Sequence, residues 1–371
     1  MSIAIICDGY KIGGIERIAL DQCYWLNSMG EQCEIIVLCE EPKEDEHIFK
    51  LSENNLIQSL SVNFIFIPGK RFNQIFELNN LIGSKKYSIL ISHSLRGSVM
   101  ACLIRIIKRY KFKLTTTIHQ LPSLSAPVQR TRRMLYSQFT DKLFIFSVPA
   151  MQDWNSYRNK NLLLKVLTAR KRVQVCRNGV YLPRLSISNF EESSNAVIVN
   201  RIIFIGRITA WKGLSTFLNI SQLTELRNLN ILLVTPHAPN EYLTKLDSDL
   251  LNRIEFIVGK SVSEIEFKSG DLLLYPANYG PESSFTEGVS LNVLEMASLG
   301  VPSLITKNGG QTWPELLKDG IVREVDWTNL EKVADVIHTE IITPSFSELN
   351  HYREILDISH NLYLHLDLKL S

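Results

Sequence analysis

Short apolar runs alternate twice with helix-period segments, which predicts an α/β protein of two doubly wound parallel-sheet domains. Three observations carry that prediction. The alternation begins at Ser2 and restarts at Arg201. Between the halves, Pro183 to Ala196 (PRLSISNFEESSNA) is polar, rich in Ser and Asn and aperiodic, as a linker would be. A length of 371 residues suits two domains of ordinary size better than one very large one.

Ser2 to Cys7 is an apolar run closed by Asp8-Gly9 and reads as a buried parallel strand. After Gly13-Gly14, the residues Ile15, Ile18, Ala19, Cys23 and Leu26 recur at helical spacing, and Gly30 stops the helix. Further strands are expected at 34–39, 62–67, 88–92, 114–118 and 142–147. The second half predicts strands at 201–205, 230–235, 254–258, 272–275 and 302–306. Leu291 to Leu299 reads as one short helix, with Ser290 as N-cap, Gly300 as its C′ stop and Pro302 preventing continuation. The tail, including HYREILDISHNLYLHL, is helical in period. The expected division is 1–185, a linker at 186–198, 199–345, and a C-terminal helix within 346–371. Strand C-termini of two such domains would face a shared cleft, where ligands of doubly wound sheets bind.

Hydrophobic residues make up 45% and charged residues 21%, which excludes a disordered chain. Six cysteines show no CxxC spacing; Cys7, Cys33 and Cys39 lie in apolar runs and read as buried thiols of a reducing compartment. The N-terminus lacks a basic n-region, and no uncharged apolar run reaches about 18 residues, so a cytoplasmic location is expected. The net charge of +2 hides an asymmetry. Residues 1–190 hold 26 Lys/Arg against 14 Asp/Glu, and the remainder 14 against 24. Within Met100 to Lys113, Leu103, Ile106, Ile107 and Tyr110 interleave with Arg105, Lys108 and Arg109. Together with Arg130, Arg132 and Arg133, this segment could rest on anionic lipid, or it could be a core-facing helix with a basic outer face.

The chemistry concentrates in Glu287-Gly-Val-Ser-Leu-Asn-Val-Leu-Glu295. Glu287 would sit in the loop before the helix and Glu295 one turn inside it. Between them, N–H groups near Ser290 and Leu291 offer a phosphate site. Carboxylates beside an anion site suit sugar hydroxyls, so the pattern fits a nucleotide-sugar. Arg207 and Lys212 follow a strand between Gly206 and Gly213, as two cations that could stabilise a departing diphosphate. Alone they read as two solvated surface cations beside a βα turn; together with the Glu287–Glu295 segment they read as a clamp. Asp247-Ser248-Asp249 matches Asp-x-Asp but lies in a polar helical stretch, Tyr242 to Leu251, and reads as solvated surface. No His, Cys or Asp cluster has metal-ligand spacing, so no metal is expected.

These segments together resemble the retaining glycosyltransferases of the GT-B fold, family 4. Glu287 to Glu295 is similar to that family's Glu-x7-Glu motif. Phe204-Ile-Gly206-Arg207-Ile-Thr-Ala-Trp-Lys212-Gly213 resembles its phosphate clamp, and Gly309-Gly310-Gln-Thr-Trp-Pro314-Glu315 its Gly-Gly-x-x-x-Glu segment. Gly13-Gly14-Ile-Glu16-Arg17 resembles its N-terminal glycine loop, and Asn178-Gly179-Val180 the turn before the linker. The resemblance implies two Rossmann-like domains, with the C-terminal helix returning to the first. It implies Glu287, Arg207, Lys212 and His119 as catalytic, with Glu287 against the transferred sugar. Gly13, Gly14, Gly206, Gly288, Val289, Ser290, Leu291, Glu295 and Glu315 would bind the donor, Glu295 at the ribose. His119 follows a strand in Thr116-Thr117-Ile118-His119 and could contact the donor sugar, although a lone His is often structural. His93 is a weaker acceptor-side candidate. No cofactor is expected beyond a UDP- or GDP-linked sugar as co-substrate. The expected partners are that donor and a glycan or lipid-linked acceptor, with no nucleic acid. The expected setting is bacterial surface polysaccharide or lipopolysaccharide assembly at the inner face of the cytoplasmic membrane. A GT-B-type sugar-nucleotide epimerase and an inactive sugar-nucleotide-binding scaffold are the competing readings. Glu282 with two serines before Phe285, and Met296 after the second Glu, depart from the family's pattern.

Overall fold

The computed structural model describes residues 1–9, 14–41, 62–119, 140–160, 165, 173–185, 196–209, 212–238, 242, 244, 246–277, 289–307, 313–339, 341–342 and 344–366. The chain forms two compact units. The first takes in Met1–Tyr181 and Asp357–Ser371, and the second Leu182–Ser283 and Val289–Leu356.

The first unit runs β1 (Ser2–Cys7), α1 (Gly14–Ser28), β2 (Gln32–Val37), β3 (Asn63–Phe66), α2 (Arg71–Lys85), β4 (Ile89–Ser92), α3 (Leu95–Lys108), β5 (Lys113–Ile118), β6 (Lys142–Ile145), α4 (Val148–Lys160) and β7 (Val173–Val175). Its sheet is parallel, in the order β3-β2-β1-β4-β5-β6-β7. The continuous apolar run in β1 follows from its place in the middle of this sheet. Ile3, Ile5 and Cys7 pack on one face with Ala19, Cys23 and Leu26 of α1. Ala4 and Ile6 pack on the other with Leu78 and Ile82 of α2 and Met100 and Ile104 of α3. Successive side chains point to opposite faces, and helices cover both, so the strand is apolar and buried from Ile3 to Cys7.

The second unit runs β8 (Ala196–Val197), β9 (Arg201–Ile205), α5 (Leu214–Ser221), β10 (Asn230–Thr235), α6 (Ser248–Arg253), β11 (Ile254–Val258), β12 (Asp271–Tyr275), α7 (Leu291–Ser298), β13 (Ser303–Thr306), α8 (Pro314–Lys318), β14 (Val322–Val325), α9 (Leu330–His338), β15 (Ile341–Ile342) and α10 (Phe346–Leu356). Its parallel sheet has the order β11-β10-β9-β12-β13-β14, and β8 pairs antiparallel with β15 apart from it. The last helix, α11 (Ile358–Leu366), belongs to the first unit, where Ile358 and Leu362 join the core around α1.

Several elements differ from expectation. The second strand occupies Gln32–Val37, not 34–39, because Gln32 to Val37 pair in register with Ser2 to Cys7. Strands β7 and β14 carry no buried apolar run, β8 and β15 are two residues each, and none of the four is expected from the sequence. Within the helical stretch expected over Tyr242 to Leu251, Tyr242 is helical, and α6 starts at Ser248, where the Asp247 carboxylate accepts a 2.7 Å bond from the Leu250 N–H. Cys39 is half-buried, whereas the other five thiols are buried, and all six are free. Among the described residues, no helix is long and apolar enough to cross a membrane.

Candidate active site

In the second unit, β9 lies between β10 and β12, so the strand order reverses at the β9–β12 pair. A crevice opens at the carboxyl ends of strands at such a reversal, and that is where doubly wound sheets bind ligands. At the opposite end, Arg201 staples the pair: its Nε and Nη2 donate to the two carboxylate oxygens of buried Asp271 at 2.7 and 2.6 Å. Gly206 and Arg207 follow the carboxyl end of β9, and Pro276 follows that of β12.

Arg207 and Lys212, the expected clamp residues, follow the end of β9. Arg207 is exposed, and its guanidinium has no ion-pair partner among the described residues. Lys212 is half-buried. Its ammonium donates to the hydroxyl of Tyr275 at the end of β12 and stands 4.9 Å from the centre of that ring. Thr209 N–H bonds to Arg207 O at 2.9 Å, and Lys212 N–H to Thr209 O at 3.0 Å. Gly213 has φ +77°, and a Cβ there would meet Pro276 O at 2.1 Å. Only glycine lets this turn press against the end of β12.

Helix α7 begins at the same edge. Asn292 in its first turn donates from Nδ2 to Ile205 O at 2.8 Å, fixing the helix start beside the residue that precedes Gly206-Arg207. Ser290 occupies the N-cap in extended conformation, as expected, but its side chain makes no capping bond. The first-turn N–H groups therefore keep their capacity for an anion. Val289 and Leu291 are buried. Gly300, at φ +78°, ends the helix as predicted.

Glu295, the expected ribose ligand, is 3% exposed, and its Oε1 accepts from Nη2 of Arg184, which is 1% exposed. Sequence reasoning missed Arg184: it stands in the polar stretch read as linker, and nothing local distinguishes it from a solvated cation. Tyr275 was missed for a similar reason, since an aromatic residue closing an apolar strand reads as core. Glu315 lies half-buried in the first turn of α8. Gly13, Glu287 and Gly288, the segment Gly309 to Thr312, and Arg130, Arg132 and Arg133 lie outside the described residues.

His119 and Gly14 belong to the first unit. Gly14 opens α1. There the strand order reverses at β1–β4. Asp8, just past β1, accepts from Ser94 Oγ at 2.5 Å and Arg96 Nε at 2.9 Å, and Ser94 Oγ caps α3 by accepting from Gly97 N–H at 2.8 Å. His93 follows β4 and His119 follows β5; Nδ1 of the first stands 2.8 Å from Nε2 of the second. Both are buried, and desolvation lowers their basicity: His119 is pushed down to about 4, and His93 lies well below the usual imidazole range. His365 of α11 stands 2.8 Å from Thr115 Oγ1, and burial takes it down to about 3. These imidazoles are neutral at pH 7.

Residues 199–339 match the family described as Glycosyl transferases group 1. The whole length of the chain follows the GT-B fold. HepE of Anabaena, in complex with UDP-glucose, is similar at a TM-score of 0.65 and 13% identity, over 99% of this chain and 98% of that one. The lipopolysaccharide outer core galactosyltransferase WaaB gives 0.62 and 12%, over 99% of each chain. A glycosyltransferase from Rickettsia africae gives 0.66 and 16%, over 99% of this chain and 97% of that one. No curated protein matches in sequence. The segment that matches this family contains Gly206, Arg207, Lys212, Val289 to Leu291, Glu295 and Glu315.

Proposed function

We propose that the protein is a retaining glycosyltransferase. It moves a sugar from a nucleoside-diphosphate donor to a hydroxyl of a glycan or lipid-linked acceptor. The observation that carries this reading is the bond from Asn292 to Ile205, which sets the uncapped start of α7 beside the Gly206-Arg207 turn. A helix start without a side-chain cap, a guanidinium with no ion-pair partner among the described residues and the Lys212 ammonium all belong to segments at one strand edge. In the proposed reaction the bond from the anomeric carbon to the diphosphate breaks as the acceptor oxygen bonds to the same face of the sugar. The acceptor proton passes to a phosphate oxygen of the donor, and the diphosphate leaves carrying the bonding pair. Arg207 and Lys212 stabilise its growing charge. Glu287 faces the transferred sugar, Glu295 the ribose, and neither acts as nucleophile. No divalent metal takes part. HepE's complex with UDP-glucose supports a UDP-linked donor, and WaaB's description supports a setting in surface polysaccharide or lipopolysaccharide assembly.

A thermal-shift panel of UDP- and GDP-linked sugars, with and without magnesium, tests this reading. A bound donor at 100 times its dissociation constant stabilises by about 2.7 kcal/mol. One sugar nucleotide is expected to raise the melting midpoint equally in both conditions. A panel in which none does so overturns the assignment.

The acceptor-side unit, on this reading, docks on anionic membrane. Leu103, Ile106 and Ile107 on α3 are exposed and do not face the core; Ile107 is 71% accessible. Phe72, at 87%, and Phe76 are exposed on the neighbouring α2, and Lys108, Arg109 and Lys111 follow the apolar turn of α3. Apolar side chains flanked by lysine and arginine suit an acidic bilayer. Burying one isoleucine yields about 1.5–3 kcal/mol. Ile106→Glu with Ile107→Glu is therefore expected to lower partition into phosphatidylglycerol vesicles by about tenfold or more. Unchanged sedimentation with such vesicles would remove the membrane from the proposal.

A further inference from the structure

A buried polar chain in the first unit ends at His119. It starts from a group that can only accept: the backbone carbonyl of Arg177, which takes a 2.9 Å bond from Asn361 Nδ2. That contact fixes the orientation of the Asn361 amide, so its Oδ1 faces Gln22 Nε2 at 2.7 Å and accepts from it. The Gln22 amide is fixed in turn, and its Oε1 faces His93 Nε2 at 2.8 Å. His93 Nε2 must therefore carry a proton. A neutral imidazole protonated at Nε2 presents a lone pair at Nδ1, and this atom faces His119 Nε2 at 2.8 Å. His119 must then donate from Nε2, which leaves Nδ1 unprotonated. Among the described residues, Nδ1 of His119 has no hydrogen-bond partner.

The arrangement spans α1, the end of β4, the end of β5 and α11, so a contact 242 positions away in sequence sets the state of the imidazole. Gln22 and Asn361 are buried, at 0% and 3% exposure, and His93 is 7% exposed. Water therefore does not supply alternative partners that would let either amide turn over.

We propose that Gln22, Asn361 and His93 are positioning residues that hold His119 as the Nε2–H tautomer. His119 Nδ1 is then an obligate acceptor for a hydroxyl of the transferred sugar. This rests on the reading of His119 as a donor-sugar contact, and it adds a selectivity. The site takes sugars that place a hydroxyl donor at this position and discriminates against deoxy analogues there.

The test is the tautomer itself, read by long-range 1H–15N correlation on histidine-labelled protein at pH 7, with the His119 signals assigned by their loss in His119→Asn. Wild-type protein is expected to show the His119 proton on Nε2, and this measurement needs no other variant. Gln22→Met keeps the side-chain volume but removes the acceptor from His93, so either direction of donation becomes open. It is expected to populate the Nδ1–H form of His119 measurably. A wild-type proton on Nδ1, or a tautomer population unchanged in Gln22→Met, overturns the proposal. In the kinetic arm, Gln22→Met is expected to lower kcat/KM about tenfold with a native donor, and to add nothing in a His119→Asn background. An undiminished loss in that background would show that Gln22 acts elsewhere. If no donor supports transfer at all, the proposed function fails, and the tautomer measurement still decides the hydrogen-bond relay.

Discussion

Arg207→Ala is expected to lower kcat by about 100- to 1,000-fold while leaving the melting midpoint almost unchanged. The magnitude is that of removing one fixed donor from a site where charge develops, about 2.7–4 kcal/mol. The small effect on stability follows from exposure: the guanidinium has no ion-pair partner among the described residues to lose, and surface substitutions of this kind stay within about 0.5 kcal/mol. The loss should fall on kcat more than on the KM for the donor. The charge on the departing diphosphate is greatest in the transition state, and an interaction made there is the one removed. Lys212 behaves differently. Its ammonium rests on the Tyr275 hydroxyl and ring, and the αL turn at Gly213 follows immediately, so Lys212→Ala also disturbs how the turn seats on β12. Steady-state rates with a sugar nucleotide and its acceptor separate the two cases. An Arg207→Ala protein that transfers sugar at the parent rate removes this turn from the catalytic machinery.

The sequence carried the central strands because their burial on both faces leaves a continuous apolar record. Leu272 to Tyr275 and Ile202 to Ile205 are such runs, and every residue in them is buried. Strands β7 and β14 stand at sheet edges, where one side lacks a neighbour and polar residues are tolerated. Val-Gln-Val and Val-Arg-Glu-Val therefore leave no apolar run to read. Strand β8 and its partner β15 are two residues each and pair across more than 140 positions, a relation no local pattern contains.

The candidate site divides in the same way. Gly213 and Gly300 were legible because their φ values near +78° restrict the choice of residue. The N-cap at Ser290 was legible as a position, yet the missing capping bond was not, since the side chain's rotamer is set by its surroundings. Long-range partners left no trace at all. Asn361 and Gln22 meet across the whole chain, and each alone is an unremarkable amide on a helix. His93 is the instructive case: it was read as an acceptor-side candidate, but its ring nitrogens are both engaged within the fold.

Arg184→Leu is expected to destabilise the second unit by about 3–5 kcal/mol, because it leaves the Glu295 carboxylate buried without its cation. Against a typical domain stability of about 5–15 kcal/mol, that loss would be visible as a large drop in the denaturation midpoint. The double variant Arg184→Leu with Glu295→Leu should recover most of it, since apolar residues of similar size replace a buried ion pair at little net cost. A double-mutant cycle by urea denaturation measures this coupling. The same pair tests the ribose assignment. Arg184 occupies Oε1 of Glu295, and a carboxylate retains a second oxygen with which it can accept a sugar hydroxyl. If Glu295 holds the nucleotide, the double variant regains stability without regaining binding, and its melting midpoint no longer responds to the sugar nucleotide that stabilises the parent. A double variant that binds that nucleotide as tightly as the parent would leave Glu295 as a structural acid, whose place in the sequence motif reflects the pairing with Arg184 alone.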